Sequence, residues 1–338
     1  MTNTTNYGLR KPEKQDPVDI ADLNYNADAI DAAMHENRTT RADLKLSNLD
    51  TPQEALANLG AGVRPSRIIN GRFSINQRGE DRYTGAWNYC FDGWVLSSNM
   101  TIEKSGNGDI VVSNTSASEN GYLIQRIESP LFDVVSTFSV VTKEGVFCAT
   151  GNMNSVSHDG FSESTSFGSV SVEWDSNWQY VSIGLRAGQS ITLPASKGVV
   201  AKFEEGPNQT LSSQESKDVF QFIPQPGDKP SQILAECQRY QLALWRYFIT
   251  PAIHFQPNYI DFSFPIPVEM RTIPVLNQSD FIVYADAKGS QSGFVLSAVG
   301  ISSNAIRVRA TKEGHGLTLA DGVRIEVNVE RTILDANL

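Results

Sequence analysis

The sequence predicts a mainly β protein. Short N-terminal helices form a coiled-coil neck, a β-sandwich or jelly roll fills the middle, and a small antiparallel β domain preceded by one helix closes the chain. Three observations predict this. From Ile68 onward apolar residues recur at every second position. Ser, Asn, Gly and Thr are dense from about Ser97 to Ser171, as in β chains with many turns. Helical spacing is confined to the stretch before residue 66 and to one segment after the middle domain.

Composition narrows the function classes. The 338 residues are 40% hydrophobic and 20% charged, which excludes global disorder and leaves room for two or three domains. No run approaches the ~18 apolar residues of a membrane span, so no membrane insertion is expected. MTNTTNYGLRKPEKQD has no apolar stretch of the kind that marks a secretory signal peptide. Net charge is −10 with no basic stripe, which argues against a nucleic-acid partner. Cys90, Cys148 and Cys237 are odd in number and far apart, and are expected to be free thiols.

Along the chain, residues 1–17 are polar and carry Pro12 and Pro17, and are expected to be extended alone and ordered against a partner. In the helix that follows, Ile20, Leu23, Ala27, Ile30 and Met34 fall in a 3-4-3-4 spacing that makes one narrow seam. Two heptads leave two readings open, a seam for partner helices or an amphipathic helix lying on a β domain. Thr51, Pro52 and Glu54 then make a capping box with proline at the first position, predicting a helix over 52–59 that Gly60 ends. The expected domains are 1–34, a neck at 35–66, a jelly roll at 67–206, a connector at 207–230 and a C-terminal β domain at 231–338.

In the middle domain Val170, Val172 and Trp174 alternate with polar neighbours, as do Val181, Ile183 and Leu185, while Asn107-Gly108 and Asn120-Gly121 read as turns. Ser231–Phe248 reads as a helix capped by Ser231, with Ile233, Leu234, Cys237, Tyr240, Leu244, Tyr247 and Phe248 on one face, and Pro251 ends it. Strands return afterwards, most cleanly where Val323, Ile325, Val327 and Val329 alternate with Arg324, Glu326, Asn328 and Glu330.

The order of these pieces resembles a bacteriophage or prophage tail fibre. NYGLRKPEKQDPVDIADLNYNADAIDAAM resembles the segment by which such fibres attach to the tail baseplate, and LKLSNLDTPQEALANLGAG is similar to their linkers. INGRFSINQRG…YCFDGW, with AKFEEGPNQT, looks like a carbohydrate-binding-module-like jelly roll, and ECQRYQLALWRYF with FPIPVEMRTIPVL resembles a common C-terminal tip domain. Gly93 departs from the larger, often basic, residue expected in CFDGW. The resemblance implies a homotrimer in the virion tail, docked on baseplate proteins through residues 1–34 and adsorbing to a host-surface glycan or other receptor. The attachment residues it implies are Tyr7, Leu9, Pro12, Ile20, Leu23, Tyr25 and Ile30.

Two aromatic clusters are candidate receptor sites, because aromatic faces stack on the C–H faces of sugars. Trp87, Tyr89, Phe91 and Trp94 form one, with Trp87 and Tyr89 as its candidates, and the alternative is that Trp87, Tyr89 and Phe91 are one strand face packed into the core. Trp174, Trp178 and Tyr180 form the other, on a hairpin whose Asp175, Asn177 and Gln179 side chains are suited to sugar hydroxyls. GHGLTLADG and AKGSQSG are loops of the kind that recognise partners at a domain's far end. No cofactor is expected. The four histidines are isolated, with no metal-binding spacing, and Asp261 with Glu269 is a carboxylate pair better read as solvated charge than as a glycosidase couple. A non-enzymatic receptor-binding protein is therefore the first reading. A tailspike-like enzyme acting on a surface polysaccharide and a structural tail spacer are the alternatives.

Overall fold

The computed structural model describes residues 2–3, 10–11, 26, 30, 63–216, 219–223, 225 and 228–336. The chain divides into two units, Met1–Val63 and Arg64–Leu338. In the first, β1 (Thr2–Asn3) pairs antiparallel with β2 (Arg10–Lys11), so these two pieces of the 1–17 stretch pair with each other. Asn26 and Ile30 are helical, and Ile30 is exposed, while the other residues of the predicted seam, Ile20, Leu23, Ala27 and Met34, lie outside the described residues. Tyr7, Leu9, Pro12, Ile20, Leu23 and Tyr25 lie outside the described residues, as does the predicted capped helix at 52–59.

The second unit is mainly β, as the alternation predicts. Its first domain contains β3 (Arg82–Thr84), β4 (Asn88–Tyr89), β5 (Val95–Leu96), β6 (Met100–Lys104), β7 (Ile110–Asn114), β8 (Gly121–Arg126) and β9 (Val135–Thr142). These are followed by β10 (Gly145–Asn152), β11 (Phe161–Ser164), β12 (Gly168–Trp174), β13 (Gln179–Leu185), β14 (Ser190–Leu193) and β15 (Ala201–Glu205). They pair into antiparallel sheets of order β14-β7-β6-β3, β11-β12-β13-β8-β5-β4 and β10-β9-β15. The inward faces share one core, in which Phe73, Phe91, Trp94, Phe138 and Phe203 are each at most 1% exposed. Burying such a side chain contributes about 1.5–3 kcal/mol before the entropy of ordering it.

The CFDGW segment turns sharply so that Phe91 and Trp94 both reach this core. Phe73 stacks on Trp94 at 4.9 Å and meets Phe91 edge-on at 5.8 Å. Gly93 makes the turn with φ +84, and a Cβ there would lie 2.8 Å from Ile69. A larger residue has neither the backbone freedom nor the space, which explains the departure at this position. The AKFEEGPNQT segment is anchored by buried polar groups. Lys202 and Glu204 pair at 3.0 Å, and the Thr210 hydroxyl and backbone N–H both donate to Glu204, at 2.5 and 2.6 Å. That network ties the chain beyond β15 back onto the strand, and satisfied partners are what make such burial tolerable. Cys90 and Cys237 are buried and Cys148 is half-buried, all as free thiols. Burial pushes the Cys90 thiol up to about 12 and that of Cys148 to about 11.

The expected connector contains a hairpin of β16 (Ser212–Ser216) and β17 (Val219–Phe222). Helix α1 (Pro230–Gln238) follows, with Pro230 at its first position and Lys229, not Ser231, at its N-cap. It is shorter than predicted. Residues 241–245 form β18 (Gln241–Trp245) instead, buried at Leu242 and Leu244 and paired with the last strand. An apolar run with Trp, Tyr and Phe satisfies either period over so short a length, and the free edge of the C-terminal strand decides it.

The second domain continues with β19 (Ile249–Gln256), β20 (Tyr259–Pro265), β21 (Phe281–Ala285), β22 (Gly289–Gln291), β23 (Val295–Ile301), β24 (Ala305–Thr311), β25 (Val323–Val327) and β26 (Arg331–Asp335). One sheet, β22-β21-β25-β19-β20-β24-β23, curls into a half-barrel around its own core, which includes Phe262, Phe264, Val308 and Ile325. Register shifts near Ile253 and Val299 supply bends of the kind bulges give. Pro251 sits in β19 where its partner changes from β25 to β20, rather than on an outer edge.

Polar contacts join the two cores. The Gln77 amide donates to Asp92 Oδ2 at 2.7 Å and to the Gln241 carbonyl at 2.8 Å, and its oxygen accepts from Ala243 N–H at 3.2 Å. Glu128 accepts a forked pair of bonds from Arg239 at 3.2 and 3.0 Å and one from Tyr240 at 2.6 Å. Burial raises the Asp92 carboxyl above its usual value of 3.8, against the lowering effect of the Gln77 bonds. A raised carboxyl gives its stability below the unfolded value and loses it as pH rises through the folded one. Gln77→Ala keeps the backbone N–H that donates to Asp92 Oδ1 at 2.9 Å but removes the side-chain bond to Oδ2, which raises the carboxyl further. It is expected to destabilise the fold by about 2 kcal/mol or more, and by more at pH 7 than at pH 4. Denaturant titrations at the two pH values check this, and an equal loss at both would be inconsistent with an ionised Asp92.

Candidate functional site: an aromatic cleft between the β domains

The β12–β13 hairpin forms where the sequence predicts it. Asp175 Oδ1 accepts from the backbone N–H groups of Asn177 and Trp178 at 3.3 and 2.9 Å and so closes the turn. The hairpin does not present two free indoles. Trp174 is half-buried against the first core, with the His158 ring stacked on it at 4.5 Å and Phe132 edge-on at 5.3 Å. Trp178 lies under Arg271 of the second domain, 5.6 Å from its ring centre. Gln179 is buried, and its amide bonds the N–H and carbonyl of Leu131 at 2.8 and 2.9 Å, which withdraws it from sugar recognition. Asn177 alone of the group is exposed with its side chain at the tip, Asp175 being exposed but spent on the turn.

The other cluster behaves differently. Phe91 is in the core, but Trp87 is 62% exposed and Tyr89 half-buried, so the three do not form one buried strand face. β4 is too short for that, since it is only Asn88–Tyr89. Trp87 precedes it with φ +62, in the left-handed region. A bulky residue there stores strain of about 1–3 kcal/mol, which surrounding structure must hold in place. The turn is pinned by Gly85, whose N–H bonds the Met100 carbonyl at 2.6 Å and whose missing Cβ would meet the Ser97 carbonyl.

Trp87 and Tyr89 line a cleft of about 650 Å³ whose other wall is β26. That is within the roughly 300–1,000 Å³ of small-ligand sites. The lining mixes aromatic faces with groups of both charges. Arg78 donates to Asp335 at 3.0 Å and stands 5.8 Å from the Tyr89 ring centre. Thr332 donates to Asp280 at 2.6 Å. Tyr83 donates to Asn76 at 2.5 Å and accepts from the Glu80 N–H at 3.1 Å, which fixes its hydroxyl at the rim. Burial raises the phenols of Tyr83 and Tyr89, so both stay neutral hydrogen-bonding groups. The arrangement stacks on apolar ring faces while donating and accepting hydrogen bonds, with no strongly one-signed field.

Sequence spacing finds Trp87 and Tyr89 but not the β26 side, which lies more than two hundred residues away along the chain. Among the described residues no group of three or more His, Cys, Asp or Glu side chains is placed to hold a metal ion, and no helix is long and apolar enough to cross a membrane. The two predicted distal loops do meet. Lys288 donates to Asp321 and to the Gly316 carbonyl, each at 3.0 Å.

Asp261 is not part of a carboxylate couple. It is 0% exposed in β20, with Arg309 on Oδ1 at 2.8 Å and Arg307 on Oδ2 at 3.0 Å. Burial alone would raise its carboxyl, but the two guanidinium groups hold it below 3.8. A depressed carboxyl gives stability above the unfolded value and loses it as pH falls through the folded one. Asp261→Asn is therefore expected to destabilise at pH 7 and to flatten the acid limb of the stability profile below about pH 4. Thermal melts from pH 7 to pH 3 check it, and an unchanged acid limb would contradict the assignment.

No family model matches the chain, and no curated protein or solved structure matches it either.

Proposed function

We propose that the chain is a receptor-binding tail-fibre protein of a phage or prophage, a non-enzymatic adhesin that takes a host-surface glycan in the cleft beside Trp87. The observation that carries the binding reading is Trp87 itself. It is a large indole, mostly exposed, held in strained backbone at the mouth of a cleft rich in hydrogen-bonding groups. In this reading residues 1–34 dock on the baseplate of the virion tail, the neck and β domains assemble as a homotrimer, and each trimer carries three equivalent clefts. Three weak contacts then act together, and avidity rises without new contacts. The carboxylates Asp280 and Asp335 accept hydrogen bonds from Thr332 and Arg78, which supports holding a ligand rather than turning it over.

Trp87→Gly separates binding from structure. Glycine adopts φ +62 freely and little buried area is lost, so melting temperature is expected to hold or rise. Adsorption to a panel of capsulated and lipopolysaccharide-bearing bacteria is expected to weaken about tenfold or more, or ~1.4 kcal/mol in all. Retained adsorption with the same stability would remove the cleft from the reading. Release of reducing ends or acetate from the bound polysaccharide would favour the tailspike enzyme instead.

A further inference from the structure

We infer that Trp87 is only half of the site, and that Trp245 with Arg331 forms the facing wall of a composite groove for an uncharged oligosaccharide. This rests on the glycan reading above and names its ligand class. Trp245 ends β18 and is 58% exposed, although its strand neighbours Leu242 and Leu244 are buried. It pairs across the sheet with Arg331, the first residue of β26, whose guanidinium lies 5.3 Å from the indole centre. Arg331 also lines the cleft that Trp87 and Tyr89 line. It makes no ion pair among the described residues. The same guanidinium rests against Gly79 of the first domain, where φ is +77 and an added Cβ would sit 1.8 Å from Nη1. Arg331 therefore reaches from the second domain to the first, beside the Trp245 indole and into the cleft that Trp87 lines.

Chemistry selects the ligand. Indole faces accept the C–H faces of pyranose rings, and a guanidinium with no carboxylate partner donates to pairs of hydroxyl oxygens. Asp280 and Glu80 face the same space as Arg82 and Arg331. A polyanion would meet the carboxylates and a polycation the guanidinium groups, whereas hydroxyls donate to the first and accept from the second. Two indoles on separate segments, one in the turn before β4 and one at the end of β18, suit one ring each, hence a chain of at least two sugars. Tyr247 continues the exposed aromatic surface past Trp245, 78% exposed with φ +72 and Arg246 5.5 Å from its ring centre.

The test uses the full-length protein, with tryptophan fluorescence and calorimetry. The probes are mono- to hexasaccharides of neutral glucans, mannans and galactans, set against oligogalacturonates and sialylated oligosaccharides. The expected result is a neutral oligosaccharide bound at least tenfold more tightly than its monosaccharide. Trp245→Ala and Trp87→Gly should each weaken it tenfold or more. Gly79→Ala, which displaces Arg331 without deleting an aromatic, should weaken it as well, and Arg331→Lys should restore only part of what Arg331→Ala loses. Melting curves show that each variant folds, and a variant that does not is replaced by Trp245→Leu or Arg331→Gln. Binding lost in Trp87→Gly but intact in Trp245→Ala and Arg331→Ala overturns the composite groove and leaves the proposed function standing. Preference for the acidic probes overturns the ligand class. Bacterial adsorption without binding of any neutral probe also overturns it, and the adhesin reading survives. Absence of both adsorption and glycan binding overturns the two together.

Discussion

The side chain of Gln77 is the constraint on which the functional geometry depends. One amide reads a buried carboxylate in the first domain and two backbone groups of β18 in the second, so it measures the offset between two separate cores. Neither core needs the other for its own apolar burial. What sets their relation is a small set of directional bonds, with Glu128 holding Arg239 and Tyr240 nearby and Arg78 holding Asp335. Directional polar bonds tolerate little displacement, whereas apolar contact alone would allow the domains to slide. The cleft has a defined width because the bonds of Gln77, Arg78 and Tyr240 are part-buried and directional.

Local strain follows from the same arrangement. The chain from Asn76 to Trp94 must leave the core at Gln77, turn outward at Trp87 and return at Phe91 within few residues. It does so through left-handed positions at Gly79, Trp87 and Gly93. Two of these are glycine, for which the conformation is free. The third is a tryptophan, for which it is not, and it is also the residue that faces solvent at the cleft. Strain at an exposed aromatic is hard to account for by stability and is readily accounted for by presentation of a ring.

The buried charges elsewhere serve folding. Asp261 is neutralised by Arg307 and Arg309 on adjacent β24, and Glu204 by Lys202 and Thr210. Each joins positions that backbone pairing alone leaves adjustable. For Asp261, whose partners lie on the neighbouring strand, a β register slipped by one residue would disturb these pairs, a penalty of several kcal/mol that apolar alternation does not supply by itself.

Much of the fold was legible in the residues alone. Period-two alternation marks β21, β24 and β25 because each has one face in a core and the other in or near water, while in β12 and β13 the alternating Ser171 and Ser182 are buried too and bond each other. The turn at Asp175 was legible because its carboxylate bonds the next backbone N–H groups locally. Trp87 stood out by type, but its exposure did not, since spacing places it on the same side as Phe91 until a left-handed turn intervenes. The strand at Gln241–Trp245 was not legible, because its partner Arg331–Asp335 lies at the other end of the domain and five residues satisfy either period. The same long-range pairing builds the far wall of the cleft. Local sequence therefore determined which residues seek the core and where the chain turns. The tertiary structure decided which aromatic remains in water and what faces it, because those depend on contacts between segments that only folding brings together.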